Sequence, residues 1–170
     1  GTEATVDAVL AAGADVVACA TGATPRMLRV PGAEQPNVAT AGAIVNGVVT
    51  PGRRVAVLVE DDGPAPLSVS DHLAGLGHEV TFITQSHGIA PLVGKYSIGS
   101  MLARLVDGGV RFVPMARVTR IDGDTVHLAS TYGKREWSEG PFDTFVVLAG
   151  AIGNDALWVQ LRERLASVSA

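Results

Sequence analysis

Arg54-Val-Ala-Val-Leu-Val59, running straight into Glu60-Asp-Asp-Gly-Pro-Ala-Pro66, is the stretch that decides the fold. Its first half is a near-continuous β-branched and aliphatic run, the pattern of a parallel strand buried on both faces. Its second half is a turn. Residues 66–76 then read as a helix, with Leu67, Leu73 and Leu76 available to pack on the sheet and Gly77 to stop it. Strand, turn and helix in this order open a βαβ unit of the kind whose turn can carry a phosphate-cradling G-x-G-x-x-G. Counted from the strand, those glycine positions fall on Asp61, Gly63 and Pro66, so one glycine of three is present.

Two matching signatures bracket this unit, Asp15-Val-Val-Ala-Cys-Ala-Thr-Gly-Ala-Thr-Pro-Arg26 before it and Asp143-Thr-Phe-Val-Val-Leu-Ala-Gly-Ala-Ile-Gly-Asn154 after it. Each reads as a buried strand that ends in glycine, at residues 15–20 and 142–149. Residues 2–12 carry Val6, Val9 and Leu10 at helical spacing, closed by Gly13. Residues 25–51 are rich in Pro and Gly, hold one short helical stretch at 41–48, and are expected to be a crossover. A strand at 79–84, a helix at 97–106 and a strand at 110–114 follow. Val118-Thr-Arg-Ile-Asp-Gly-Asp-Thr-Val-His-Leu128 then reads as two short strands meeting at an Asp-Gly hairpin, and residues 134–138 add a third. The final strand leads to a helix at 156–166. The predicted fold class is α/β, a Rossmann-like three-layer domain made of a parallel sheet, its helices and a small antiparallel flap. Strand 15–20 has no earlier strand to pair beside, and a strand of an open sheet needs neighbours or a cover. The chain is therefore expected to be a piece of a longer protein.

Composition narrows the function classes. A chain of 170 residues, 47% of them apolar, can bury a substantial core. The net charge of −4, with Lys and Arg scattered, argues against nucleic acid or an anionic membrane surface as a partner. Gly and Pro break the uncharged stretches before they reach the roughly 20 apolar residues of a membrane span. The N-terminus shows no basic segment followed by an apolar one, so no secretory signal is read. The lone Cys19 excludes an internal disulfide and fits a reducing compartment, with the cytoplasm expected.

The order of these elements, with their wording, resembles the C-terminal nucleotide-binding region of the trimethylamine dehydrogenase and 2,4-dienoyl-CoA reductase family, the NADH:flavin oxidoreductases. The words that carry the resemblance are Ala20-Thr-Gly-Ala-Thr-Pro-Arg26, Val30-Pro-Gly32 and Pro51-Gly-Arg-Arg-Val-Ala-Val-Leu-Val59. They continue in Ser68-Val-Ser-Asp-His-Leu-Ala74, Gly77-His-Glu-Val-Thr-Phe-Ile-Thr84 and Phe145-Val-Val-Leu-Ala-Gly150. Leu157-Trp-Val-Gln-Leu161 and the lost glycines lean towards the amine dehydrogenases. The resemblance implies a parent with FMN in an N-terminal barrel, an iron-sulfur cluster, and two interleaved Rossmann-like domains. With one cysteine, this chain cannot supply the cluster's ligands. Residues 1–48 and 151–170 would belong to a domain that holds FAD or ADP, and residues 49–150 to a nested NAD(P)-type domain. The cofactor-facing residues implied are Thr21, Gly22, Asp61, Gly63 and Gly150. The partners implied are the rest of the polypeptide with its flavin barrel, an electron-transfer flavoprotein, or a second subunit in an oligomer.

Whether the nested domain takes NAD(P)H turns on the loop. Asp61 adds a side chain and a charge at the first glycine position, and Pro66 removes an N–H at the third. Glu60, Asp61 and Asp62 set negative charge where phosphates would rest. One unit charge 4 Å from another costs about 4 kcal/mol at an effective dielectric of 20, about a thousandfold in affinity. Asp61 or Asp62 has a plainer reading as the cap of the next helix, with Pro66 in its first turn. The next strand ends in Thr84-Gln-Ser-His87, with no acid for the ribose hydroxyls and no Arg for a 2′-phosphate. His78 reads as an exposed turn residue, and His87, at a strand's carboxyl end, has no acidic neighbour in sequence. Cys19 reads as a buried small hydrophobe, and Tyr96, Trp137 and Trp158 as packing residues. No nucleophile-base-acid set and no metal-ligand cluster is found, so no catalytic residue is expected. Three readings stand: a structural nucleotide-fold domain with a closed pocket, an NAD(P)H domain that delivers hydride to a flavin, or a docking surface for an electron-transfer partner. Gly63 and Gly150 favour the second, and an exposed apolar patch would favour the third.

Overall fold

The computed structural model describes residues 1–168, which fall into two compact units: one of residues 25–150, and one of residues 1–24 with those from 151 on. In chain order the elements are α1 (Val6–Ala11), β1 (Ala23–Pro25), β2 (Val38–Thr40), α2 (Ala41–Val45), β3 (Arg54–Val59), α3 (Ala65–Gly75) and β4 (Glu79–Thr84). They continue with α4 (Lys95–Asp107), β5 (Arg111–Val113), β6 (Ala116–Asp122), β7 (Thr125–Ser130), β8 (Glu136–Glu139), β9 (Thr144–Leu148), β10 (Ala151–Gly153) and α5 (Ala156–Val168).

The larger unit is the expected three-layer α/β domain. Its sheet runs β2-β9-β3-β4-β5 with every pairing parallel. Side chains alternate along each strand, so the aliphatic runs line two different cores. Val55, Val57, Val59, Val80, Phe82, Val146 and Leu148 face Ile44 of α2, Leu67 and Leu73 of α3 and Leu105 of α4. Ala56, Leu58, Ile83, Phe145 and Val147 face Ile121, Val126 and Leu128 of the antiparallel sheet β6-β7-β8. The hairpin between β6 and β7 turns at the Asp-Gly-Asp site read from the sequence, with Asp122 opposite Thr125.

Both helices that lead into strands end the same way. Past α3 the Gly77 N–H donates to Ala74 O (2.9 Å) and the His78 N–H to Leu73 O (3.1 Å), the pair of bonds that closes a helix through a left-handed glycine, here at φ +87°. Past α4 the Gly109 and Val110 N–H groups repeat this on Val106 O and Leu105 O. In each case three residues separate the end of the helix from the next strand.

The amino ends of β3 and β9 are locked by charge. The Arg54 N–H donates to Asp143 Oδ2 (2.8 Å), and its guanidinium meets both carboxylate oxygens, Nη2 reaching Oδ1 at 2.6 Å. The Arg54 guanidinium and backbone N–H hold the Asp143 carboxyl down to about 2, from an ordinary 3.8, and Asp143 in turn raises Arg54.

Several local expectations are corrected. Residues 15–20 form no strand: Val16 is 85% exposed, and Cys19 is half-buried rather than in a core. The physical reason is that a strand is stabilised by its ladder, and among the described residues no strand pairs with this segment. Among the described residues of the smaller unit, Leu161 alone is buried. There α1 begins at Val6 behind the Thr5 cap, and β1 pairs with β10. The passage at 25–51 is more than a crossover, because it supplies edge strand β2 and is tied to the flap. Gln35 Nε2 donates to Ile121 O (2.9 Å), and Asn37 Nδ2 to Gly123 O (2.8 Å). Leu76 lies past the last turn of α3 and is exposed, and Tyr96 stands out from α4 with Lys95 over its ring. Trp158 is half-exposed under Arg162, whereas Trp137 does pack on the core. No helix among the described residues is long and apolar enough to cross a membrane.

Two measurements check this account. Gly32 sits at φ +83° against Ile121 O, where an added Cβ would collide with backbone. Gly32→Ala should therefore cost more than about 2 kcal/mol in urea unfolding, and an unchanged midpoint would contradict the packing described. The depressed Asp143 carboxyl contributes stability that is complete above its unfolded value of 3.8 and is lost as pH falls through about 2. Acid unfolding of Asp143→Asn should lack that part of the stability loss between these values.

Candidate nucleotide site

In an open parallel sheet, ligands bind beyond the carboxyl ends of the strands. β3 and β9 end level, Val59 opposite Leu148, and the Glu60 N–H donates to Leu148 O (2.9 Å) one step further on. Three pieces of chain meet there: Arg26, the loop 60–63, and Ala149 with Gly150. The Arg26 backbone N–H donates to Gly150 O (3.0 Å), its Nε to Ala149 O (2.7 Å), and its Nη2 to Glu60 Oε2 (3.3 Å).

The loop has turned its polar groups inward. Asp61 Oδ1 accepts the Gly63 N–H at 2.8 Å, and a Cβ at Gly63 would stand 3.0 Å from that oxygen. A larger residue at 63 would press on the Asp61 carboxylate and move it by a few tenths of an ångström. The expected capping of α3 by Asp61 or Asp62 is not found: the N-cap is Pro64, without a side-chain bond, because Asp61 is engaged in its own turn. Asp62 O accepts the Leu92 N–H (3.1 Å), which ties the loop to the segment after β4.

A donor count follows from these contacts. Of the five residues from Gly63 to Leu67, Pro64 and Pro66 have no N–H, and that of Gly63 is taken. Ala65 and Leu67 remain, and the Leu67 side chain is buried. The backbone cradle with which a helix N-terminus normally meets phosphate is thus largely dismantled.

The end of β4 is also committed internally. Thr84 Oγ1 accepts the Ser86 N–H (3.1 Å), Ser86 O accepts the Met115 N–H (3.0 Å), and Gln85 O accepts the Thr131 hydroxyl (2.9 Å). His87 is exposed. His78 is half-buried rather than exposed, since its Nδ1 lies 2.8 Å from Gly52 O.

The structure therefore places Asp61, Gly63 and Gly150 at one end of the larger unit's sheet, and Thr21 and Gly22 in the smaller unit. Gly150 takes φ +82° with open space beside it. Thr21 and Gly22 are held by Asn154: the Thr21 hydroxyl donates to Asn154 O, Asn154 Nδ2 to Thr21 O (3.2 Å), and the Asn154 N–H to Gly22 O (2.9 Å). Arg26 and Asn154 were not singled out from the sequence, and Glu60 was read only as one of three acids beside the phosphate position. The available signal for Arg26 was a lone cation closing one strand-glycine signature while three acids crowd the next loop. Among the described residues no three His, Cys, Asp or Glu side chains gather as metal ligands would.

Comparison with known proteins fits this geometry. The family model described as pyridine nucleotide-disulphide oxidoreductase matches residues 3–166. The chain belongs to that family. Within the pyridine nucleotide-disulphide oxidoreductase family it is similar to the solved 6-hydroxypseudooxynicotine amine oxidase from Pseudomonas geniculata N1, with 26% identity, a TM-score of 0.86, and coverage of 96% of this chain and 26% of that one. It shares its fold with histamine dehydrogenase from Rhizobium sp. 4-9 (24% identity, TM-score 0.83, 98% and 27% covered). It also shares the fold of a 2-naphthoyl-CoA reductase (24%, 0.81, 94% and 24% covered). The chain thus spans about a quarter of each of these structures. None of the curated proteins matches its sequence.

The inward turn of the loop has a direct test. Asp61→Ala removes the acceptor of the Gly63 N–H, so amide hydrogen exchange at Gly63 should quicken by about fivefold or more, as loss of one local bond implies. An exchange rate equal to that of the unsubstituted chain would show that the bond does not hold in solution.

Proposed function

We propose that this chain is the nucleotide-fold region of a flavin-dependent oxidoreductase of the trimethylamine dehydrogenase and 2,4-dienoyl-CoA reductase type, on its amine-oxidising side, and that the larger unit is a structural domain with a closed dinucleotide pocket. One observation carries the closed pocket: the Gly63 N–H is spent on Asp61, and Pro64 and Pro66, which follow it, have none to give. The residues present do not fit the pyrophosphate of NAD(P)H, and no hydride step is routed through this domain. The likeness to an amine oxidase over 96% of the chain supports the amine branch.

In this reading the parent carries FMN and an iron-sulfur cluster outside these residues. FAD or ADP would rest on the smaller unit, where Thr21 and Gly22 lie, and the FMN would supply the redox chemistry when bound. The partner of the smaller unit is the remainder of the polypeptide. Supporting this, Val17, Trp158 and Leu165 of that unit line one cavity and all stay at least 46% exposed, a clustered apolar surface of the kind that marks a contact site. A second reading, NAD(P)H delivery of hydride to flavin, draws on Gly150, whose positive φ and open side would admit a close ligand.

Calorimetric titration with NADH and then NADPH at low salt separates the two. The expected result is no heat of binding up to millimolar ligand. Binding in the micromolar range would overturn the closed pocket and establish a hydride-donor site.

A further inference from the structure

Residues 15–20 of the smaller unit, Asp-Val-Val-Ala-Cys-Ala, have the wording of a buried strand and none of its bonds. None is proline, and among the described residues none of their backbone N–H or C=O groups meets a backbone partner. Their side chains nevertheless alternate as those of a strand do. Val17 and Cys19 line a hollow of about 440 Å³, shared with Leu10, Trp158 and Leu161. Val16 and Ala18 line a second of about 440 Å³, shared with Ala4, Ala8 and Ala12, and Val17 touches both. Charge in the two linings is limited to Asp15 and Arg162 in the first and Glu3 in the second. The segment thus has an apolar hollow on either side, open backbone edges, and a Val16 that is 85% exposed. That is the setting of a central strand, which is buried on both faces and paired on both edges once its neighbours are in place.

We propose that residues 15–20 are a strand-addition site, and that its occupant is an extended aliphatic segment of the remainder of the polypeptide, which pairs with this backbone and sets side chains into the two hollows. The inference rests on the reading that the remainder of the polypeptide covers the smaller unit, and adds where and how it is held. Strand addition takes its affinity from main-chain hydrogen bonds and its specificity from pockets for alternate side chains. Both elements are present here. Alanines wall the second hollow, so the large side chains that fill it must come from the occupant. An occupant within the same polypeptide follows from length, since this chain spans about a quarter of the related structures while they match nearly all of it. A tethered segment also binds at the effective concentration its linker sets, so a strand too weak to bind as a separate peptide still pairs.

Amide hydrogen exchange, read in the 170-residue chain and in the whole parent polypeptide, tests this. In the chain alone the amides of residues 15–20 should exchange at close to the unfolded rate, and in the parent they should slow by about a hundredfold or more, as entry into a central ladder implies. Val17→Asp in the parent sets a charge between the two hollows and should reverse that slowing, while the β3 and α3 amides of the larger unit keep theirs and report that it stays folded. Val17→Thr, which keeps the shape, should reverse it only in part. Slowing of the α1 and α5 amides in the parent without any at residues 15–20 overturns strand addition and leaves the covering of the unit standing. No slowing anywhere in the smaller unit sinks the reading that the remainder of the polypeptide covers it. Slowing at residues 15–20 in the chain alone that grows with its concentration would make a second copy the occupant, and overturns the proposal as well.

Discussion

Everything at the candidate site depends on β3 and β9 lying side by side, from Val55 opposite Thr144 to Val59 opposite Leu148, although nearly ninety residues separate them in the chain. Both strands are buried on both faces, and each face meets a different cover: helices on one side, the antiparallel flap on the other. A slip of one residue would exchange the two sets of side chains, so register is strongly specified. The Arg54–Asp143 lock holds the entry to the pair. From that single alignment it follows that Glu60 begins beside Ala149, and that Arg26 can reach both.

Where such a pair ends, a dinucleotide domain offers a row of backbone N–H groups to phosphate. This chain has spent or lost them. One intramolecular bond, Gly63 to Asp61, stabilises the loop by about 1 kcal/mol at most. Its larger effect is on the ligand, because each charge-assisted bond to a phosphate is stronger, about 1.5 to 3 kcal/mol, and three of five donor positions no longer provide one. Like charge on Glu60, Asp61 and Asp62 acts in the same direction. In the closed-pocket proposal, donor loss and repulsion together outweigh what the remaining glycines, Gly63 and Gly150, could restore by close approach.

Much of this was legible in the sequence because it depended on local pattern. The aliphatic runs of β3, β4 and β9, the glycines after α3 and α4, and the Asp-Gly hairpin each announced themselves within a dozen residues. The damaged loop could also be read by counting from β3. What could not be read was long-range pairing. Residues 15–20 have the composition of a buried strand but no ladder partner alongside, so Val16 stands exposed. β2, only Val38–Thr40, gave too short a run to signal an edge strand, yet β9 recruits it. The contacts of Arg26 with Glu60 and of Asn154 with Thr21 span 34 and 133 residues, beyond any motif's reach. Asp61 was recognised as a residue of consequence, but its partner proved to be the Gly63 amide and not the end of a helix.

The central claim is that the β3–α3 turn has no free cradle for a pyrophosphate, and amide NMR reads that turn residue by residue. On addition of millimolar NADH to the isotope-labelled chain, the Gly63, Ala65 and Leu67 amide signals should stay where they are. A saturable shift confined to those three amides would contradict the account and return the turn to service as a dinucleotide site.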